Sequence, residues 1–388
     1  MANLVQSNKA LLVTNIPNPY RIPLFNELNK QLKLHGINFK VVFGALGYSR
    51  RKWKIDMTEC AFDYEVLSSR KIRFAAPDQV IFTYGGLLSV LKKENPYLII
   101  TIGYTLATIK LWLRSIFIKT RYIIWSGAIF IKNRENYFLR RIQRRILVKR
   151  ASGFIAYGKK AKEYLIFLGA HPKAISIGIN TIDTEYFREE TQRIRNSIKK
   201  NGKKTLLYVG HFEKRKRIDL LLKAIAILKQ RRGDFVLRLI GEGSELKQLK
   251  AMASRMDLND YVSFEGFKQK KEIPEYFAEA DCFLFPSEYD IWGLVLVEAM
   301  SAGLPCISSI KAGATHDLIK DGVTGFVMDF SDIEKVAEKI NWLLDNPELA
   351  REISQNASRF INENMNIKES AKGFVEAIIG ILNKSESA

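Results

Sequence analysis

Cysteine is scarce in this chain of 388 residues: Cys60, Cys282 and Cys306 stand far apart, which excludes a disulfide framework and fits a reducing compartment. The four histidines, at positions 35, 171, 211 and 316, form no cluster with metal-ligand spacing. Long apolar runs are missing too. The stretch from Tyr97 is broken by Lys110 before it could span a bilayer, and the start, MANLVQSNKALLVTN, lacks the basic and long apolar regions of a signal peptide. A protein of the cytoplasm, not integral to a membrane, is expected. With 47% hydrophobic and 26% charged residues the composition is ordinary for a globular protein, and the length suits two domains of similar size.

Acidic residues are sparse in one half. Residues 1–190 hold 31 Lys and Arg against 13 Asp and Glu, net +18, whereas residues 191–388 hold 30 against 28. Between Lys110 and Lys162 fifteen basic residues face a single acid, Glu135, and alternate with Trp112, Phe117, Ile129, Phe130 and Phe138. Nucleic acid phosphates would suit such a surface, and a solvated basic face would need no partner at all. The interleaved apolar residues favour an anionic membrane surface, with no nucleic acid expected.

What is present is a repeated alternation. KALLVTN, NFKVVFG, YLIITIG, RYIIWSG and SGFIAYG read as buried strands between helical patterns, among them a helix near Pro23 to Leu34 and a long basic one around Glu135 to Arg150. The charged stretch from Ile182 to Asn201 breaks that rhythm. KTLLYVG restarts it, and FVLRLIGEG, YVSFEGF, DCFLFPS, PCISS and GFVMDF continue it. Two doubly wound parallel α/β domains are expected, 1–182 and 183–366, followed by a final helix in 367–388.

The most informative segment is residues 285–305, FPSEYDIWGLVLVEAMSAGLP, in which Asp290 and Glu298 flank the glycine that opens an apolar helix. Strand, loop and helix follow one another here, so the loop falls at the carboxyl edge of a parallel sheet, where ligands bind. The first amides of that helix, at Gly293, Leu294 and Val295, lack intrahelical partners and can face a diphosphate. Glu298, just over one turn inside, can accept the hydroxyls of a ribose, and Asp290 those of a sugar. The plainer alternative makes Asp290 a helix cap and Glu298 a surface residue.

The neighbouring residues favour the ligand site, because the block resembles the E-x7-E signature of the retaining glycosyltransferases of family 4, PSxxEGFGLVxxEAMAxGxPV, with Asp290 at the first Glu. Likewise GHFEKRKRIDLLLKA, after KTLLYVG, resembles VGRLxxxKGxDLLLxA. That resemblance places Lys216 at the lysine that pairs the donor diphosphate and His211 at the usual arginine. Lys214, Arg215 and Arg217 stand beside them as further cations. A histidine is charged for part of its population near neutral pH, so any help His211 gives the leaving group depends on pH. GEGSEL offers Gly241 and Gly243 as a tight turn at the donor, and Gly266 and Phe267 fall where the family holds the nucleobase.

In the first half, NIPNPYRIPLF follows the first strand and presents Tyr20 and Arg21 to an acceptor phosphate or sugar. Where many family members carry a histidine close to the reacting sugar, RYIIWSGAIF offers Trp125 and Ser126. The resemblance implies a GT-B fold, two Rossmann-like domains facing a cleft, with the last helix crossing back to the first. It implies transfer of a hexose or N-acetylhexosamine from a nucleotide diphosphate sugar, most readily a UDP-sugar, to a lipid-linked or surface-glycan acceptor. No cofactor is expected. With no Asp-x-Asp to hold a divalent ion, the diphosphate charge falls on Lys216 and the helix amides. A non-hydrolysing sugar-nucleotide epimerase of the same fold, or a catalytically silent partner subunit, are the alternatives.

Overall fold

The computed structural model describes residues 8–47, 55–73, 80–118, 120–130, 138–199 and 202–386. The chain divides into two compact units, Met1–Ile182 with Ile367–Ala388, and Asp183–Asn366.

The first unit contains β1 (Lys9–Thr14), β2 (Asn38–Phe43), β3 (Asp63–Val66), β4 (Lys71–Arg73), β5 (Val80–Phe82), β6 (Leu98–Ile102), β7 (Arg121–Ser126), β8 (Gly153–Ala156) and β9 (Ile175–Ile177). Seven of these form a parallel sheet in the order β3-β2-β1-β6-β7-β8-β9, while β4 and β5 pair as a separate antiparallel hairpin. The helices are α1 (Ile22–Leu34), α2 (Leu87–Glu94), α3 (Leu106–Phe117), α4 (Phe138–Arg150) and α5 (Lys159–Phe167). The beginning of the basic helix expected from Glu135 lies outside the described residues. Central strands β1, β7 and β8 are buried almost throughout, which is why they read as continuous apolar runs.

The second unit contains β10 (Lys204–Val209), β11 (Phe235–Ile240), β12 (Val262–Gly266), β13 (Cys282–Phe285), β14 (Cys306–Ser309) and β15 (Phe326–Met328). They form one parallel sheet ordered β12-β11-β10-β13-β14-β15. The order reverses between β10 and β13, so the crevice for a ligand opens where their carboxyl ends diverge. Around the sheet lie α6 (Thr184–Ser197), α7 (Ile218–Lys229), α8 (Leu246–Arg255), α9 (Ile273–Glu279), α10 (Leu294–Ser301), α11 (Thr315–Leu318), α12 (Ile333–Asp345) and α13 (Pro347–Asn364).

The charged stretch read as a break is in fact α6. Asp183 caps it through the amide of Tyr186, and Arg195 near its end donates to the carbonyls of Phe277 and Ala302. These partners lie about a hundred residues downstream, so local composition cannot reveal them. The last helix, α14 (Ile367–Glu386), packs within the first unit against α1, β8 and β9. Its Phe374 meets the ring of Trp125 edge-on at 4.9 Å, and Ser370 donates to the carbonyl of Ile179.

Candidate functional site

Four loops at the carboxyl ends of β10, β11, β13 and β14 build the site in the second unit. β13 is buried along its length, Pro286 ends it, and Gly293 turns the chain into α10. Gly293 has φ +91°, and a Cβ there would fall 2.5 Å from the Phe285 ring, so only glycine fits on both counts. No side chain caps α10, which leaves the amides at its start for another acceptor. On the same loop the Ser287 hydroxyl and the Trp292 indole N–H are buried with no hydrogen-bond partner among the described residues.

The loop after β10 is stitched to this one. A single helical turn, Lys214–Lys216, leads into α7 through Arg217, whose φ of +51° is unusual for a residue with a side chain. Glu288 donates its amide to the carbonyl of Arg215 at 2.9 Å, and the Arg215 guanidinium donates to the carbonyl of Tyr289 at 3.1 Å. Arg217 is committed elsewhere, paired with Glu288 at 2.8 Å and with both oxygens of Asp219 at 3.0 Å.

At the centre the Lys216 ammonium donates to Asp290 Oδ2, and Arg215 Nη1 lies 4.0 Å from that same oxygen. Lys216 is 7% exposed, and its ammonium sits 5.3 Å above the Phe285 ring. The loop after β14 fixes Asp290 from the other side, because Gly313 donates its amide to the Asp290 carbonyl at 2.9 Å and Ala314 donates to that of Trp292. Asp290 therefore belongs to a cationic cluster. A simple helix cap is excluded, since it makes no capping bond to α10.

Glu298 has a different setting. It is partly buried in α10, where burial pushes its carboxyl up to about 7, with Lys270 the charge that pulls it back. Lys270 comes from the turn before α9, and its ammonium lies 4.8 Å from the Tyr186 ring. Sequence reasoning missed this neighbour. Its signal, the run KQKKE, looks like any solvated loop.

The glycines after β11 bring backbone against backbone. A Cβ on Gly241, at φ +140°, would fall 1.9 Å from the Gly210 carbonyl oxygen, and the Phe212 amide donates to the carbonyl of Glu242 at 2.8 Å. Beside this junction lies a concavity of about 290 Å³ lined by Gly241, Glu242, Gly243, Lys250, Phe264 and Gly266. Phe267 follows Gly266 but does not line it. His211 is partly buried, and its carbonyl accepts from the Tyr208 hydroxyl at 3.1 Å. Among the described residues no group of three His, Cys, Asp or Glu side chains is placed to hold a metal ion.

The acceptor-side residues fare differently. Trp125 is fully buried, packed on Phe374, on Tyr157 at 5.4 Å and on Phe25 at 6.4 Å, and Ser126 is buried beside it. Neither side chain presents surface in this structure, and the Trp125 indole N–H is buried without a hydrogen-bond partner among the described residues. Arg21 is buried as well: its guanidinium lies 4.5 Å over the Trp125 ring and donates to the Tyr157 hydroxyl at 2.6 Å. Among the described residues it makes no ion pair. Tyr20, partly buried, is the one of the four with accessible surface.

Residues 190–360 match the family described as glycosyl transferases group 1. The chain is 30% identical over 193 residues to N-acetyl-alpha-D-glucosaminyl L-malate synthase of Bacillus anthracis, covering 49% of this chain and 50% of that one. It is 33% identical over 179 residues to the amylovoran biosynthesis glycosyltransferase AmsK of Erwinia amylovora, covering 45% and 42%. The matches thus span about half the length of these relatives. Over nearly the whole chain the structure resembles that of Anabaena Alr3699/HepE in complex with UDP and glucose, with a TM-score of 0.73 at 18% identity, covering 95% of this chain and 98% of that one. At that identity the likeness is one of fold: two parallel-sheet, Rossmann-like α/β domains, the GT-B architecture.

Proposed function

We propose that the chain is a retaining, metal-independent glycosyltransferase that moves a hexose or N-acetylhexosamine from a UDP-sugar to a lipid-linked or surface-glycan acceptor. One observation carries this reading: a buried ammonium and a carboxylate meet beside the uncapped start of α10, with a second carboxylate one turn inside that helix. The amides of Gly293, Leu294 and Val295 receive the diphosphate, Glu298 accepts the ribose hydroxyls, and Asp290 faces the transferred sugar. Gly241, Gly243 and Phe267 border the nucleotide. As the bond from the anomeric carbon to the diphosphate oxygen breaks, Lys216, aided by His211, stabilises the charge that develops. The acceptor hydroxyl enters on the same face, its proton leaving to the departing phosphate, with Tyr20 on the acceptor side.

The match to glycosyl transferases group 1 supports the reaction class, and the UDP in the Alr3699/HepE structure supports the choice of donor. Thermal-shift screening against UDP-, GDP- and ADP-sugars tests the reading, since a ligand of the folded state raises its melting temperature. Stabilisation by at least one sugar nucleotide is expected. No shift with any of them contradicts it.

The first unit supports a place on the inner face of the cytoplasmic membrane. Phe138, Leu139, Ile142 and Ile146 of α4 are exposed, Leu139 at 80%, while Leu147 and Val148 on the opposite side of the helix are buried. Arg145 and Lys149 border the exposed stripe, and Phe117, 84% exposed, ends neighbouring α3. Among the described residues no helix is long and apolar enough to cross a membrane. An apolar stripe edged with cations suits anionic headgroups, at about 1 kcal/mol per basic residue near the surface. Arg144 is less suited to that task, because it donates to the Tyr164 hydroxyl and stacks on Tyr104.

Co-sedimentation with liposomes rich in phosphatidylglycerol is expected, weakened by salt and by Arg145→Ser with Lys149→Ser, and lost with Phe138→Ser and Leu139→Ser. Absence of the wild-type chain from those pellets at low salt would redirect the search to soluble acceptors.

A further inference from the structure

We infer that Asp290 serves as the stand-in counter-ion of Lys216, displaced when a donor binds and restored after transfer, so that the site favours a nucleoside diphosphate sugar over the bare nucleoside diphosphate. The inference rests on the reading of this unit as a sugar-nucleotide site and adds a selectivity to it.

The Lys216 ammonium is buried and has one hydrogen-bond partner among the described residues, the Asp290 carboxylate. A buried ammonium without a partner is strongly disfavoured, so this pair keeps the empty site tolerable. It also means that an incoming diphosphate does not meet a free cation. Asp290 is itself held in place by the main-chain pairing of its strand-like segment with Ala312 and by the Gly313 amide. Its main chain cannot follow the lysine, and the short aspartate side chain reaches less far than the lysine's, so the two separate when the lysine turns to a phosphate.

Two features make that separation feasible. Arg215 Nη1 lies 4.0 Å from Asp290 Oδ2, and the guanidinium is anchored through Nε by Glu213 at 2.9 Å and through Nη1 by the Tyr289 carbonyl at 3.1 Å, so one cation stays beside Asp290 after Lys216 leaves. Lys216 belongs to a single short turn, and its side chain has four rotatable bonds with which to redirect the ammonium. Only a sugar-bearing donor then completes the exchange, because its hydroxyls donate to the carboxylate that the lysine has vacated. A bare nucleoside diphosphate takes the lysine and leaves Asp290 with the weaker partner. Once the sugar has gone to the acceptor, the ion pair reforms at the expense of the remaining diphosphate. Asp290 thus speeds product release.

Isothermal titration of the full chain with UDP, inorganic pyrophosphate and UDP-glucose tests this. Asp290→Asn keeps the shape and removes the charge. It is expected to bind UDP and pyrophosphate about tenfold more tightly, roughly the free energy of one broken ion pair. UDP-glucose should gain less than about threefold, because the amide still accepts hydroxyls. Asp290→Glu, which keeps the charge, should bind UDP within about threefold of wild type, and adding Lys216→Ala to Asp290→Asn should erase the gain. UDP affinity unchanged or weaker in a folded Asp290→Asn variant, with nucleotide binding intact in wild type, overturns the inference alone. Failure of wild type and both variants to bind UDP, UDP-glucose or pyrophosphate overturns it together with the donor-site reading.

Discussion

Glu298→Gln is expected to raise the melting temperature of the empty protein above pH 7 while weakening its binding of nucleotide. Burial holds the Glu298 carboxyl at about 7 in the folded chain, against an ordinary value of 4.5. The folded state therefore keeps a proton that the unfolded state releases between those two values. Whatever stability the residue contributes is fully present below about pH 4.5 and is lost as the pH rises through 7. Above that the fold holds a charged carboxylate in surroundings that disfavour it, and a neutral amide relieves the strain. Discounted for the part of the side chain that remains exposed, the relief is about 1–2 kcal/mol, or ~2–8 °C for a unit of this size.

At pH 4, below the ordinary value, the variant and wild type should melt alike. Nucleotide affinity should move the other way, because charge-assisted bonds to ribose hydroxyls contribute about 1.5–3 kcal/mol each. Melting curves from pH 4 to 8 with parallel calorimetry check both halves. A variant that is less stable at pH 8 and binds UDP as wild type does would remove Glu298 from the site.

Lys216→Ala should reduce turnover by about 10²- to 10³-fold, the usual loss when one group facing a developing charge is removed. Its effect on the binding of bare UDP should be much smaller. In the empty site Lys216 is already paired with Asp290, so UDP gains little from it at equilibrium, whereas the departing diphosphate gains its full charge. Initial rates over a range of donor concentrations, set against calorimetric affinities, separate the two. Equal losses in both would make Lys216 a plain binding residue.

The strands of the second unit were legible because strands covered on both faces read as unbroken apolar runs, from DCFLF to PCISS. Loop chemistry was legible where residue type is forced, as at Gly293, whose backbone tolerates no side chain. Edge elements escaped. β3 spells DYEV and is largely exposed, and β9 is three residues long, so neither carries an apolar run. The burial of Trp125 was not legible for a different reason: a ring that covers it is Phe374, nearly 250 residues onward, and although a returning final helix was expected, no local pattern around Trp125 says which strand end it covers. The Lys216–Asp290 pair was implied by two motifs read separately, while their direct contact, with Arg215 beside it, required the structure.

The most direct test of the account is proton NMR of a reaction containing the full chain, an α-linked UDP-sugar identified by thermal shift, and a lipid-linked sugar acceptor. The account predicts loss of the donor's anomeric signal, release of UDP, and a new glycoside whose anomeric proton keeps the α coupling. A β-linked product would contradict retention. Conversion of the UDP-sugar into its epimer without UDP release would contradict transfer altogether.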